Sequence, residues 1–147
     1  MGLGVDKCSD VVTEERGQSV IEVALALPLL LILFLGLVDG ARAYYFAGIV
    51  ANAAREGVNY AARNAAATRA QVTQRSCDAT GMVAFGSACP GFTVTCTVAN
   101  GDAAVEVTYD FSLITGSIAE SAIKVNPIPI RAHARFPLLT AGTPCAS

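Results

Sequence analysis

One run near the N-terminus limits this chain more than any other feature. Residues 23–38 read VALALPLLLILFLGLV, sixteen positions without a charge. With Val20, Ile21 and Glu22 the stretch reaches nineteen, close to the ~20 a helix needs to cross the hydrocarbon of a bilayer. The alternative is a core helix of a soluble domain. Such a helix keeps a polar face and this run has none, so a membrane span over residues 20–38 is the preferred reading. Pro28 falls inside it as a candidate kink, tolerated in lipid because neighbouring groups and local adjustments satisfy the freed carbonyl. Composition points the same way: 53% hydrophobic, 15% charged and a mean hydropathy of +0.50 exclude disorder and are too apolar for an ordinary soluble domain. A net charge of −2 with no basic run argues against a nucleic-acid partner. One His and no Trp leave little material for catalysis, and no cofactor or small-molecule substrate is expected.

The flanks decide what the span does. Ala41-Arg42-Ala43 is similar to the A-x-A site of a secretory signal peptide, whose use would give a secreted protein starting at Tyr44. Two features oppose that. The apolar run is longer than a typical h-region, and the segment before it is acidic, with Lys7 and Arg16 against Asp6, Asp10, Glu14 and Glu15. Arg42 and Arg55 follow the span closely, so charge alone does not orient it. The cysteines help more. Cys8 precedes the span, while Cys77, Cys89, Cys96 and Cys145 follow it. There is no C-x-x-C pair and the lone His133 has no obvious co-ligand, so no metal site is expected. Four cysteines in a small domain suit two disulfides in an oxidising compartment, with four buried thiols as the alternative. The C-terminal part is therefore expected outside the cytoplasm.

Beyond the span the helix pattern continues. Val50, Ala53, Ala54, Gly57, Val58, Ala61 and Ala65 recur at helical spacing, with Asn52, Arg55, Glu56, Asn59 and Arg63 on the other side. The pattern predicts one helix over residues 18–75, roughly 85 Å long at ~1.5 Å per residue. Its small-residue face needs a cover. Phe92, Val94, Cys96 and Val98 alternate with threonines, and Asn100-Gly101 is a hairpin turn signal. Val105, Val107 and Tyr109 mark the return strand. After a loop or short helix around residues 111–123, Ile128, Ile130, Ala132, Ala134 and Phe136 alternate with Arg131, His133 and Arg135. The fold expected is α+β: a long N-terminal helix, its first half in the membrane, packed on a small antiparallel sheet within residues 76–147.

The junction before the span now carries more meaning. Residues 16–22 read RGQSVIE, with a carboxylate five positions after the glycine and already inside the apolar stretch. This resembles the processing site of type IV prepilins. The resemblance implies cleavage between Gly17 and Gln18 by a prepilin peptidase, so that residues 1–17 form a cytoplasmic leader. It also implies that Glu22 pairs with the new amine of Gln18, on the same or a neighbouring subunit. The bland alternative is a Glu at the membrane edge that reaches the headgroups. A second resemblance covers residues 16–63. Glu22, Leu27-Pro28-Leu29-Leu30, Gly40 and Asn52-Ala53-Ala54-Arg55-Glu56-Gly57 are similar to the TadE-like pseudopilins of the tight-adherence (Tad/Flp) pilus system. That family implies a non-catalytic, single-pass subunit of the bacterial inner membrane with its C-terminal domain outside. Its partners would be the bilayer, the peptidase, other pilin subunits and the assembly platform. The rival within the structural class is a permanent anchor displaying a small binding module.

Removal of the leader would also remove Cys8 and leave an even four. A Cys89–Cys96 bridge is disfavoured, because an extended strand would hold the two Cα atoms about 20 Å apart, against the 4.4–6.8 Å of a disulfide. Of the two pairings left, Cys77–Cys96 with Cys89–Cys145 is slightly preferred over Cys77–Cys89 with Cys96–Cys145, since Cys77 lies just past the expected helix end.

Overall fold

The computed structural model describes residues 11–81, 89–124 and 126–146, so most of the expected leader, Cys8 included, lies outside the described residues. The elements are α1 (Val11–Arg63), α2 (Arg69–Asp78), β1 (Phe92–Ala99), β2 (Asp102–Phe111), α3 (Gly116–Ile123) and β3 (Ile128–Pro137). The chain divides into two units, residues 1–38 and 39–147.

In the first unit α1 presents large aliphatic side chains outward. Residues 17–37 are all exposed, with Leu25 at 72%. The helix passes Pro28 without interruption, and it is long and apolar enough to cross a membrane.

The second unit is built on an antiparallel sheet of order β1-β2-β3. Asn100 and Gly101 close the β1–β2 hairpin with φ of 55° and 82°, the left-handed pair a type I′ turn requires. Strand alternation follows the expected pattern: Cys96, Val105 and Val107 are buried while Thr93, Thr95, Thr97 and Glu106 are exposed. Against that face lies residues 39–63 of α1. Val50, Ala53, Ala54, Gly57, Val58 and Ala61 are buried, and Asn52, Arg55, Glu56 and Arg63 are exposed, which are the two faces read from the periodicity. Small residues are needed here. A Cβ on Gly57 would collide with Ser76 Oγ of α2 and come within 3.2 Å of Val105 Cγ1 of β2, so three elements converge on the missing side chain.

Three expectations need correction. The single helix over 18–75 is two helices, because α1 stops at Arg63 and α2 starts at Arg69. Thr68 caps α2 reciprocally: its hydroxyl accepts from Gln71 N–H at 3.3 Å, and Gln71 Oε1 accepts from Thr68 N–H at 3.0 Å, a capping box that satisfies two orphan donors. The chain's last residues then fill the break. Leu139 N–H donates to Ala62 O at 3.0 Å, Cys145 N–H to Ala67 O at 2.8 Å, and Arg69 N–H to Ala146 O at 3.0 Å. Ala65 accordingly lies in the connection rather than on a helical face.

The preferred disulfide pairing is also overturned. The bridges are Cys77–Cys89 and Cys96–Cys145, with Cα separations of 5.6 and 5.7 Å. The reason is the same helix break: the tail pinned to residues 67–69 brings Cys145 to the buried Cys96, leaving Cys77 for Cys89. The excluded Cys89–Cys96 bridge does not form. Finally, Phe136 is 44% exposed: by register it shares a face with Ala134, but it lines an open groove rather than the closed core.

Candidate functional site

Two places on α1 concentrate polar chemistry in otherwise apolar surroundings. The first is the N-terminal edge of the span. Gly17, Gln18 and Glu22 lie within α1 and are exposed. Gln18 and Glu22 stand four residues apart, so they share one helix face a single turn from each other. Glu22 sits between Ile21 and Val23, which are 63% and 59% exposed. A carboxylate on such a surface has no solvation from its own fold, and among the described residues it has no ion-pair partner. Its partner must be water, a headgroup, a new amine at Gln18, or another chain. Among the described residues, an added Cβ on Gly17 would meet no atom within 4 Å.

The second place is Asp39, which sequence reasoning passed over. It is the residue directly after the span, it is 3% exposed, and it belongs wholly to the second unit. Its Oδ1 accepts from Ile114 N–H at 2.9 Å, and its Oδ2 accepts from Thr115 N–H at 3.0 Å and from the Thr115 hydroxyl at 2.8 Å. Arg42 reaches the same carboxylate at 3.2 Å and lies over the Phe111 ring, 5.1 Å from its centroid. Phe46, one turn on, stacks on Tyr109 at 4.8 Å. Burial would push the Asp39 carboxyl up, but the Thr115 and Ile114 N–H groups, the Thr115 hydroxyl and Arg42 together hold it at about 2 against an ordinary 3.8. It stays an anion and fixes the turn before α3. The sequence signal was available: an acid ending an apolar run with an arginine three residues later, the spacing of neighbours on one helix face.

The remaining candidates fall elsewhere. His133 is exposed on β3 opposite Glu106 of β2. Among the described residues no group of three His, Cys, Asp or Glu side chains gathers as a metal set, and the four cysteines are taken up by the two disulfides.

Residues 17–59 match the family model of TadE-like proteins. The chain carries a TadE-like region. Over those residues the chain is similar to TadE-like proteins, and with the apolar helix the match fits a single-pass membrane protein. No curated protein and no solved structure gives a significant match. The TadE-like region takes in Gly17, Gln18, Glu22, Pro28 and Asp39, and stops short of the sheet. Its Asn52-Ala53-Ala54-Arg55-Glu56-Gly57 segment divides cleanly by face: Ala53, Ala54 and Gly57 are buried, while Arg55 and Glu56 are exposed. Asn52 Nδ2 donates to Ala79 O at 3.5 Å, joining the exposed side of the TadE-like helix to the end of α2.

Proposed function

We propose that this chain is a pilin-like subunit, a pseudopilin or minor pilin, that serves assembly of a Tad/Flp-type adhesive or secretory pilus and has no catalysis of its own. The observation that carries this reading is a lone carboxylate, Glu22, exposed on an apolar TadE-like helix five positions after Gly17. A prepilin peptidase cuts after Gly17 on the cytoplasmic side. The amine released on Gln18 then pairs with Glu22 of the same or a neighbouring subunit. The span stores the subunit in the inner membrane, and the disulfide-closed domain meets other pilin subunits and the assembly platform outside the cytoplasm. Two disulfides support that orientation, because such bonds persist in oxidising compartments.

N-terminal sequencing of protein recovered from membranes tests the reading. The expected first residue is Gln18, and Gly17→Arg, which the open surroundings of Gly17 accept without a clash, leaves the full-length precursor. A precursor that stays uncut in the wild type would instead make the chain a permanent anchor displaying its domain. A start at Tyr44 would make it a secreted protein. The Asp39 geometry weighs against the last outcome, since a cut after Ala43 would remove the carboxylate that holds Ile114 and Thr115.

A further inference from the structure

β3 is the last strand of the sheet, and its register determines which of its backbone groups are free. In an antiparallel ladder, pairs that exchange both hydrogen bonds alternate with pairs that exchange none. Pro129 stands opposite Asp110, and Pro137 opposite Asp102. Proline has no N–H to give, so these are non-bonded pairs. By alternation Arg131↔Thr108, His133↔Glu106 and Arg135↔Ala104 are non-bonded as well. Leu138 N–H, donating to Gly101 O at 2.9 Å, continues the even-numbered series toward β2. The N–H and C=O groups of Arg131, His133 and Arg135 therefore point away from β2, along the open edge. Among the described residues, these three ladder positions between two prolines have no strand partner on that side.

The same three residues carry exposed, basic or basic-capable side chains on the outer face. Beside the edge runs a groove of about 390 Å3, lined by Arg55, Val58 and Asn59 of α1 and by Ala134 and Phe136 of β3. His133 and Arg135 line it too, so arginines and a histidine stand beside the apolar Val58, Ala134 and Phe136. A second copy is a poor occupant. Two β3 edges would set cations directly opposite cations, which is destabilising, and β1 (FTVTCTVA) offers no carboxylate.

We propose that the free edge of β3 accepts an extended segment of another protein, adding a fourth strand whose carboxylates stand opposite Arg131, His133 and Arg135. Side chains across a strand pair on one face lie ~4.5–5.5 Å apart at Cβ, close enough to select charge. The intervening residues of the incoming strand turn to the other face, onto Ala134 and Val58, and are apolar. Main-chain bonds supply the affinity and alternate side chains the selectivity. The flanking prolines limit the added strand to a short one. The inference uses residues 39–147 only and does not rest on the pilus reading, so either can fail alone.

The test uses the full chain in detergent micelles and three labelled heptapeptides. One is Thr-Glu-Val-Glu-Val-Glu-Thr, the second has Lys for each Glu, and the third is the Glu peptide N-methylated at its Glu amides. The Glu peptide is expected to bind at least tenfold more tightly than either of the others. It should also slow hydrogen exchange of the Arg131, His133 and Arg135 amides at least tenfold. His133→Pro removes the central free donor while leaving the ladder to β2 intact, and should lower affinity at least tenfold with both disulfides still formed. Should that variant not fold, the N-methylated peptide on the wild-type chain decides alone. Equal binding of the N-methylated peptide would mean simple attraction to the arginines and would overturn the proposal. So would equal binding of the Lys peptide, or unchanged amide exchange at the three positions.

Discussion

The two halves of α1 solve opposite packing problems with the same backbone. Over residues 17–37 the helix carries Leu, Ile, Val and Phe, and they stand exposed. Over residues 39–63 the buried positions, Asp39 apart, are Ala, Gly and Val, set by the sheet and α2 pressing close. In the first half no described residue selects shape, and apolarity and length matter, as a bilayer requires. In the second half shape is decisive, because interiors pack at crystal-like density and one added methyl group is felt. Helix propensity does not distinguish the halves, since the first is rich in Leu and the second in Ala, both strong helix formers. What surrounds the helix does.

The largest expected effect breaks the second half's enclosure. Replacing Cys96 and Cys145 together by Ala opens a bridge with a sequence separation of 49 and should destabilise the domain by about 2–4 kcal/mol, read by denaturant unfolding of the full chain in detergent. The next test sets glycine against glycine. Gly57→Ala forces a methyl group into Ser76 Oγ and toward Val105, and overpacking of that kind costs about 1–3 kcal/mol. Gly36→Ala meets nothing within 4 Å and should leave unfolding within about 0.5 kcal/mol. A loss at Gly36 equal to that at Gly57 would break the contrast between the halves.

Asp39 sharpens the boundary between them. Asp39→Asn keeps the shape but loses the charge and turns an acceptor into a donor facing donors, for an expected loss of about 1–3 kcal/mol. The pH dependence has a definite sign. A carboxyl held at about 2 in the fold against 3.8 ordinarily contributes stability that is complete above pH 3.8 and is lost as pH falls toward 2. Acid unfolding of the Asn variant should lack that component in the same window.

Much of this was legible in the sequence where a period is long and regular. The three strands follow from alternation, and the Asn100-Gly101 turn from its need for positive φ. The buried stripe of α1 follows from helical spacing. The break at residues 64–68 was missed because the apolar spacing runs past it, although Thr68 and Gln71 have the spacing of a capping box. The disulfide pairing depends on where the tail is hydrogen-bonded, which no local pattern encodes. For Asp39 the local pairing with Arg42 was legible, but its burial was not, because its partners Ile114 and Thr115 are 75 and 76 residues away.

Glu22 gives the smallest expected effect on the fold and the most informative one on assembly. It touches no described partner, so Glu22→Ala should leave domain unfolding within about 0.5 kcal/mol. Insertion should be as good or better, since an ionised carboxylate costs about 2.5–3.5 kcal/mol at a bilayer centre and less near its edge. The cleavage proposed after Gly17 should persist, because the change is a full helical turn beyond the cut. Only the pairing between subunits should suffer. In-cell crosslinking to other pilin subunits reads that step directly, and the Ala variant should yield clearly less complex than the wild type. Wild-type yields would assign the carboxylate to the headgroups instead, and the exposed half of α1 would then be a membrane anchor and nothing more.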